Sequence, residues 1–293
     1  MQLSLFRCLR LAAPIAALWL LQTPAQAQDA QALSHLIAEL ERDHQARIGV
    51  VVRDSGSDWA FGYRETERFA MTSTFKIPLC AAVLDRVAMG SESLAVELPV
   101  EQADLLDYAP VTTPEVGKRM TLAQLCQATI DMSDNTAANL LLDHIGGPQV
   151  VTEFLRRIGD PVTRLDRREP ELNLAGPGEL RDTTTPQAMV ATLERLFLGD
   201  ALPRAERAQL WDWSGRGGVT QALLRAALPE DWQVADKSGA GAQSRALVAV
   251  VQPPQRAPYL VAIYLAESPD DFQTRNAAVA ALSAEIAKLL QAR

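Results

Sequence analysis

The chain has 293 residues, with 36 acidic and 28 basic side chains and a formal net charge of −8. An acidic chain without clusters of lysine or arginine is poorly suited to nucleic acid or to an anionic membrane surface, so composition argues against both kinds of binding protein. The length is enough for one large or two medium domains.

The N-terminus has the pattern of an export signal. Arg7 and Arg10 give it positive charge, residues 11–21 form an apolar segment, and residues 25–27 (Ala-Gln-Ala) match an A-x-A cleavage site. The apolar segment is too short to span a bilayer. We therefore predict a signal peptide over residues 1–27 and a periplasmic or secreted mature protein.

Both ends of the chain combine strands with one helix. Leu33 and Ile37 recur at helical spacing near the start, and another amphipathic helix closes the chain. Strands are predicted at residues 48–53, 59–63, 246–251 and 259–265, and the extended run 232–236 leads into a further, edge strand. We therefore predict one α/β domain built from residues 28–66 and 214–293.

The middle of the chain, residues 67–213, keeps its apolar residues at helical spacing and shows few strand patterns. A capping box beginning at Thr121 opens one helix, and Thr185 followed by Pro186 opens another. We therefore predict an all-α domain inserted into the α/β domain. Within it, residues 164–182 are rich in charge, proline and glycine, which predicts an Ω-loop.

A serine and a lysine stand three positions apart, at Ser73 and Lys76. If a helix begins here, both side chains lie on one face, and the free N–H groups of the first turn favour a developing negative charge. A lysine can take the proton of a serine when burial or a second cation, such as Lys237, lowers its pKa. Alone, the S-x-x-K pattern is weak, because surface pairs of this kind are common.

Three further motifs follow in order along the chain. They are Ser-Asp-Asn at 133–135, Glu-Pro-Glu-Leu-Asn at 169–173, and Lys-Ser-Gly at 237–239, the last on a predicted edge strand. S-x-x-K, S-D-N and K-[ST]-G in this order are typical of class A β-lactamases and penicillin-binding proteins. From about Leu33 to its C-terminus, the chain resembles the class A serine β-lactamases.

The resemblance implies a fold and an activity. The fold is β-lactamase/transpeptidase-like, of the α/β plus all-α class, with a five-stranded antiparallel sheet flanked by helices and an inserted helical domain. The activity is hydrolysis of β-lactam antibiotics, namely penicillins and some cephalosporins, which gives antibiotic resistance. We expect a monomer with small-molecule substrates, no cofactor or metal, no nucleic acid partner and no membrane association after signal cleavage.

The resemblance also implies catalytic roles. Ser73 attacks the lactam carbonyl, Ser133 passes a proton to the departing nitrogen, and Glu169 activates the water that hydrolyses the acyl-enzyme. The base for acylation is either Lys76 or Glu169, and the sequence leaves both open. The N–H groups of Ser73 and Ala240 form an oxyanion hole.

A second group of residues is implied to bind substrate. It comprises Asn135 for the side-chain amide, Asn173 for the hydrolytic water, Lys237 and Ser238 for the carboxylate, and Gly239, which leaves room beside the strand. Arg245 matches the family's carboxylate-binding arginine after a one-residue gap. Tyr108 matches an aromatic residue at the cleft entrance, although a plain surface tyrosine is nearly as good an interpretation.

Four residues are implied to have structural roles. Arg167 and Asp182 match an ion pair that closes the Ω-loop, and a cis peptide bond is expected before Pro170. Some family members join the positions of Cys80 and Cys126 by a disulfide, and two buried free thiols are the alternative.

One position departs from the family pattern. Arg168 stands where the family commonly has tryptophan, directly before the glutamate of the loop. A cation there could lower the pKa of Glu169 or tether its carboxylate.

Other classes of protein remain as alternatives. The three histidines lie in no metal-binding or Ser-His-Asp pattern. A peptidoglycan DD-peptidase shares three of the motifs but lacks the glutamate loop, and a β-lactam sensor stays acylated and carries membrane helices. An inactive homologue that only binds a partner is the last alternative, and an activity assay separates it from the enzymes.

Overall fold

The computed structural model describes residues 24–174, 176 and 178–293, with side chains from residue 30 onward. The predicted signal peptide therefore lies outside the described residues, except for residues 24–27, which belong to the first helix. Within the described ranges, no helix combines the length and the apolar character needed to span a bilayer.

The strands build one antiparallel sheet and two short ribbons. They are β1 (Arg47–Asp54), β2 (Ala60–Tyr63), β3 (Phe69–Ala70), β4 (Glu97–Pro99), β5 (Arg119–Thr121), β6 (Thr183–Thr184), β7 (Gln233–Gly241), β8 (Ser244–Gln252) and β9 (Tyr259–Ala266). The five-stranded sheet has the order β2-β1-β9-β8-β7, and its neighbours are all antiparallel. The first and last parts of the chain thus share one sheet, with β7 at its edge, which confirms the predicted fold.

Helices cover both faces of this sheet. They are α1 (Pro24–Asp43), α2 (Lys76–Ala88), α3 (Leu122–Asp131), α4 (Asn135–Ile145), α5 (Pro148–Arg157), α6 (Pro186–Phe197), α7 (Arg204–Gly215) and α8 (Phe272–Gln291). The terminal helices α1 and α8 pack together on one face, and α6 packs on the other. Helix α2 lies at the centre of the helical part, against α3, α4, α5 and α7.

The sheet separates two hydrophobic cores. Along β9, Leu260 and Ala262 contribute to the core shared with the helical part, whereas Val261 and Ile263 contribute to the core beneath α1 and α8. Side chains of a strand alternate between faces, so a strand that is buried on both faces is apolar at consecutive positions. This explains why the sequence of β9 is a continuous apolar run.

The helix starts follow the side-chain caps of the sequence. Thr121, Asp134 and Thr185 each accept a hydrogen bond from the backbone N–H three residues later, at the start of α3, α4 and α6. The ribbons β3–β6 and β4–β5 differ from the all-α prediction for the middle of the chain. Their strands have two or three residues, too few for an alternating pattern to be recognised.

A buried ion pair supports the edge strand β7. Asp236 is 2% exposed, and Arg225 donates from Nε and Nη2 to its two carboxylate oxygens, at 2.9 Å each. Thr220 Oγ1 adds a third bond at 2.8 Å. Burial raises the pKa of Asp236 while Arg225 opposes the shift, so this carboxylate depends on its partner to remain charged.

We expect Arg225→Met to lower the free energy of unfolding by about 3 kcal/mol, because it leaves a buried carboxylate without its cation. The measurement is urea denaturation followed by circular dichroism. Arg216→Met is the matched control, since it removes an exposed pair with Asp212 that contributes about 0–1 kcal/mol. Equal losses in the two variants would contradict the support we assign to this pair.

Candidate active site

Ser73 lies in a 3-10 turn, Thr72–Phe75, that leads directly into α2, whose first residue is Lys76. The sequence predicts an α-helical first turn here, and the tighter turn keeps the two side chains one turn apart. Thr72 has a φ of 45°, which is uncommon for a β-branched residue and costs about 1–3 kcal/mol. Its Oγ1 donates to the Met71 carbonyl at 2.7 Å, which helps to hold this strained turn.

The edge strand β7 packs tightly against this turn. A Cβ atom on Gly239 would lie 2.0 Å from Thr72 Oγ1 and 2.9 Å from the backbone nitrogen of Ser73. From its sequence, Gly239 is expected to leave room for a substrate, but in the structure the turn itself occupies the space that a side chain would take. A glycine is therefore required for Ala240, the next residue, to lie beside Ser73.

Lys76 is fully buried at the centre of the motif residues. Its Nζ donates to the Ser133 carbonyl at 2.8 Å and to Asn135 Oδ1 at 2.6 Å, and lies 3.4 Å from Ser133 Oγ. Glu169 Oε1 is 3.3 Å away, without hydrogen-bond geometry. Burial lowers the pKa of Lys76 and the Glu169 carboxylate opposes the shift, so the amine is closer to losing its proton than a surface lysine is.

Ser133 lies between two lysines. Its Oγ accepts a hydrogen bond from Lys237 Nζ at 3.0 Å and a longer one from Lys76 Nζ at 3.4 Å. Lys237 also donates to the Ser238 carbonyl at 2.7 Å. Burial, together with the Lys76 and Arg245 cations, holds the pKa of Lys237 well below its ordinary value. The sequence prediction that Lys237 acts as a cationic neighbour of Lys76 agrees with this arrangement.

Asp134, the middle residue of the same motif, faces away from the site. Its buried carboxylate accepts from the N–H groups of Val111, Thr112 and Ala137 and from the Thr112 hydroxyl, all at 2.8–3.0 Å. The residue therefore fixes the 111–112 loop to the start of α4.

Glu169 is held by two asparagines. Asn173 Nδ2 donates to Glu169 Oε2 at 2.6 Å. Asn139 binds the backbone of Glu169 twice, donating from Nδ2 to its carbonyl at 2.8 Å and accepting from its N–H at 3.1 Å. Asn139 is not predicted from the sequence, because a lone asparagine in the middle of α4 has no motif around it. Its effect is to fix the depth at which the Glu169 side chain enters the site.

The Ω-loop is closed at its base as expected. Asp182 is fully buried, and its carboxylate accepts from Arg167 Nε at 2.6 Å and from the N–H groups of Asp166 and Arg167 at 2.7 and 2.9 Å. The Glu169–Pro170 bond is cis, as the resemblance implies. Arg168 turns away from Glu169 and pairs with the exposed carboxylate of Asp143. The suggestion that Arg168 tethers the Glu169 carboxylate is therefore wrong.

Arg245 lies behind the last residues of β7. It pairs in register with Ala240 and donates from Nη1 to the Gly239 carbonyl at 2.8 Å, while Asn276 Oδ1 accepts from its Nε at 3.0 Å. Only 4% of Arg245 is exposed. The one-residue gap in the sequence therefore does not remove this arginine from the site.

These residues open onto one cavity of about 300 Å³. Its lining consists of Ser73, Tyr108, Ser133, Asn135, Glu169, Asn173, Val219, Ser238, Gly239, Ala240, Arg245 and Phe272. Tyr108 and Phe272 are each about half exposed, at 47% and 51%, and the Tyr108 carbonyl accepts from the Asn135 N–H at 3.0 Å. Val219 and Phe272 are not predicted from the sequence, because apolar residues outside a motif give no functional signal.

Cys80 and Cys126 are both buried free thiols, so the structure does not contain the predicted disulfide. Cys80 Sγ instead lies 3.7 Å from the Cys126 carbonyl oxygen. Burial raises the pKa of the Cys80 thiol well above its ordinary value, which keeps it protonated and unreactive. The second interpretation of the sequence, two buried thiols in the helical core, is the one that the structure contains.

Comparison with known proteins supplies the family. A model described as the β-lactamase enzyme family matches residues 31–290. A β-lactamase of Rhodobacter capsulatus is 48% identical over 249 residues, which are 85% of this chain and 85% of that protein. β-Lactamase AER-1 of Aeromonas hydrophila is 43% identical over 260 residues, 88% of this chain and 86% of that protein.

Solved structures agree with these relatives. A β-lactamase from Xanthomonas campestris pv. campestris superposes with a TM-score of 0.86 at 46% identity, covering 89% of this chain and 98% of that one. A class A β-lactamase representing the last common ancestor of Gram-negative bacteria gives 0.85 at 52% identity, with coverage of 88% and 99%. The chain therefore belongs to the β-lactamase enzyme family and is a class A serine β-lactamase.

Proposed function

We propose that the enzyme hydrolyses penicillins and some cephalosporins through an acyl-enzyme on Ser73, and so confers resistance to them. The main support is the position of Lys76, a fully buried amine in contact with Ser133, Asn135 and Glu169 one helical turn from Ser73. A buried amine with a lowered pKa can accept a proton, which is what a serine nucleophile requires.

In the acylation step, Ser73 attacks the lactam carbonyl while Lys76 takes its proton. The N–H groups of Ser73 and Ala240 bind the oxyanion, a contribution of about 2.7–4 kcal/mol for each donor in such sites. Ser133 then protonates the lactam nitrogen as its bond to the carbonyl carbon breaks. The contacts of Ser133 Oγ with Lys76 and Lys237 support this transfer, because both cations can resupply the proton.

In the deacylation step, Glu169 removes a proton from a water that attacks the acyl carbonyl. Glu169 Oε1 and Asn173 Oδ1 are buried and form no hydrogen bond with the described residues. Buried polar atoms of this kind are commonly satisfied by ordered water. A water bound by both oxygens would lie beside the base that activates it.

The remaining motif residues, with Arg245 and Tyr108, would orient the substrate. Lys237, Ser238 and Arg245 bind the carboxylate next to the lactam ring, and Asn135 holds the side-chain amide. Two buried cations are held on backbone carbonyls of β7: Lys237 on that of Ser238, and Arg245 on that of Gly239. Their charges support a carboxylate-binding site along this strand. Tyr108 borders the entrance of the cavity, where it contacts the side chain of the substrate.

The proposal predicts many turnovers per enzyme when the purified mature protein is mixed with benzylpenicillin or with a chromogenic cephalosporin. Ring opening followed by absorbance is the measurement, and the cephalosporin reports on the breadth of the substrate range. A single stoichiometric acylation followed by no further reaction would indicate a DD-peptidase or a sensor. Absence of any reaction would indicate an inactive homologue.

Three features of the whole chain belong to the same proposal. Residues 1–27 direct export and are removed, which places the enzyme in the periplasm or outside the cell. The mature protein is a monomer with an α/β domain (28–66 and 214–293) and an all-α domain (67–213). Mass spectrometry of the exported protein tests the cleavage site, and light scattering tests the monomer.

A further inference from the structure

Arg275, in the first turn of α8, is a buried cation without a counter-ion in the described part of the chain. It is 5% exposed, and among the described residues its Nη atoms donate only to the backbone carbonyls of Asp270 and Gly241. Its Nε has no hydrogen-bond partner in that part of the chain. Burial of a guanidinium without an anion is costly, so this buried charge calls for an explanation.

The two carboxylates that precede Arg275 are committed to other groups. Asp270 Oδ2 contacts His44 Nδ1 at 2.7 Å and accepts from Ser268 Oγ at 3.2 Å. Asp271 caps α8 by accepting from the Thr274 N–H at 2.8 Å. Neither carboxylate forms an ion pair with Arg275, although Asp271 lies close enough for Arg275 to lower its pKa slightly.

Arg275 acts on the same end of β7 as Arg245. It bonds the Gly241 carbonyl, Arg245 bonds the Gly239 carbonyl, and these two carbonyls are two positions apart on one strand. Asn276, the neighbour of Arg275 on α8, holds the guanidinium of Arg245. The two guanidinium groups thus lie on carbonyls at the same strand end, and burial, together with the Arg275 cation, lowers the pKa of Arg245.

An anion in the cavity would relieve this repulsion. Holding the Gly241 carbonyl requires only a hydrogen-bond donor, which a neutral side chain could supply. The positive charge of Arg275 therefore has a separate effect, because it adds to the potential that Arg245 presents to the cavity.

We propose that Arg275 is a specificity-determining residue that acts through Arg245 and makes the enzyme select β-lactams with a free carboxylate next to the lactam ring. The inference rests on the proposed function, in which Arg245 binds that carboxylate. The selection comes from substrate binding, so the charge of Arg275 changes KM and leaves the chemistry at Ser73 unaltered.

The test compares benzylpenicillin with its methyl ester, which lacks the negative charge, in the wild-type enzyme, Arg275→Gln and Arg275→Lys. We expect Arg275→Gln to raise KM for the acid about tenfold, the effect of one weakened charged contact, with kcat and both constants for the ester within about twofold. Arg275→Lys keeps the charge and should restore KM for the acid. Arg256→Gln, which removes an exposed arginine far from the cavity, should change nothing.

Equal losses for acid and ester, or a lysine variant as impaired as the glutamine variant, would overturn the inference and leave Arg275 a structural residue. Arg275→Met keeps the apolar stem and carries the same comparison if the glutamine variant does not fold. Arg245→Gln separates the two proposals. If it discriminates acid from ester and Arg275→Gln does not, only the inference fails; if neither discriminates, the carboxylate site at Arg245 fails too.

Discussion

Ser73→Ala should reduce kcat for benzylpenicillin by about 10⁵–10⁶-fold, the loss found when a serine hydrolase loses its nucleophile. The alanine has no hydroxyl to attack the lactam, so no acyl-enzyme forms, and Lys76 and Glu169 have no acylation or deacylation step to assist. The variant should keep the wild-type fold, because no described group forms a hydrogen bond with Ser73 Oγ and the turn is held by the hydroxyls of Thr72 and Thr74, which both donate to the Met71 carbonyl. Stopped assays at high enzyme concentration measure the residual rate.

Two controls make this result specific to Ser73. Ser91→Ala removes a hydroxyl at the exposed end of α2 and should keep kcat within about twofold, since surface changes of this kind have small effects. Thermal unfolding should show Ser73→Ala to be as stable as the wild-type enzyme. Hydrolysis by Ser73→Ala within tenfold of the wild-type rate would remove Ser73 as the nucleophile.

The fold was predictable because its determinants are local or periodic. The strands β1 and β9 are apolar runs, and the caps at Thr121 and Thr185 mark helix starts by side-chain chemistry alone. Serine, lysine and glutamate stood out for a similar reason, because each of the proposed steps needs one of these residue types at a fixed place in the order of motifs.

The rest of the site depends on contacts between distant parts of the chain. Asn139 holds the backbone of Glu169, 30 positions away, and Asn276 holds Arg245, 31 positions away, and neither lies in a motif. Gly239 belongs to a motif, but a glycine is needed there because Thr72 lies where a side chain would be. That contact exists only once β7 has packed against the turn that carries Ser73. Such contacts between distant residues cannot be predicted from a local sequence pattern.

Side-chain direction is a second limit. Arg168 is adjacent to Glu169 in sequence, which suggested that the two side chains could interact. In the structure the two side chains point in different directions, one to Asp143 at the surface and one to Lys76 in the interior. Neighbours in an irregular loop share no fixed face, unlike residues in a helix or a strand, so adjacency was a poor guide here.

Glu169→Ala should stop the reaction at the acyl-enzyme, with steady-state turnover of benzylpenicillin reduced by about 10²–10⁴-fold, the usual contribution of a general base. Acylation should continue because Ser73, Lys76 and Ser133 are intact. Loss of the carboxylate also affects Lys76. In the wild-type enzyme burial lowers the pKa of Lys76 and the Glu169 carboxylate opposes this shift, so without Glu169 the pKa of Lys76 falls further. A larger fraction of the amine is then neutral and able to accept the proton of Ser73.

Mass spectrometry of Glu169→Ala after mixing with benzylpenicillin measures this state directly. We expect a mass increase of one intact penicillin, because ring opening expels no atoms, and slow loss of that adduct. Ser73→Ala/Glu169→Ala is the matched control and should gain no mass. Rapid loss of the adduct would show that another group activates the water, whereas failure to form it would make Glu169, and not Lys76, the base for acylation.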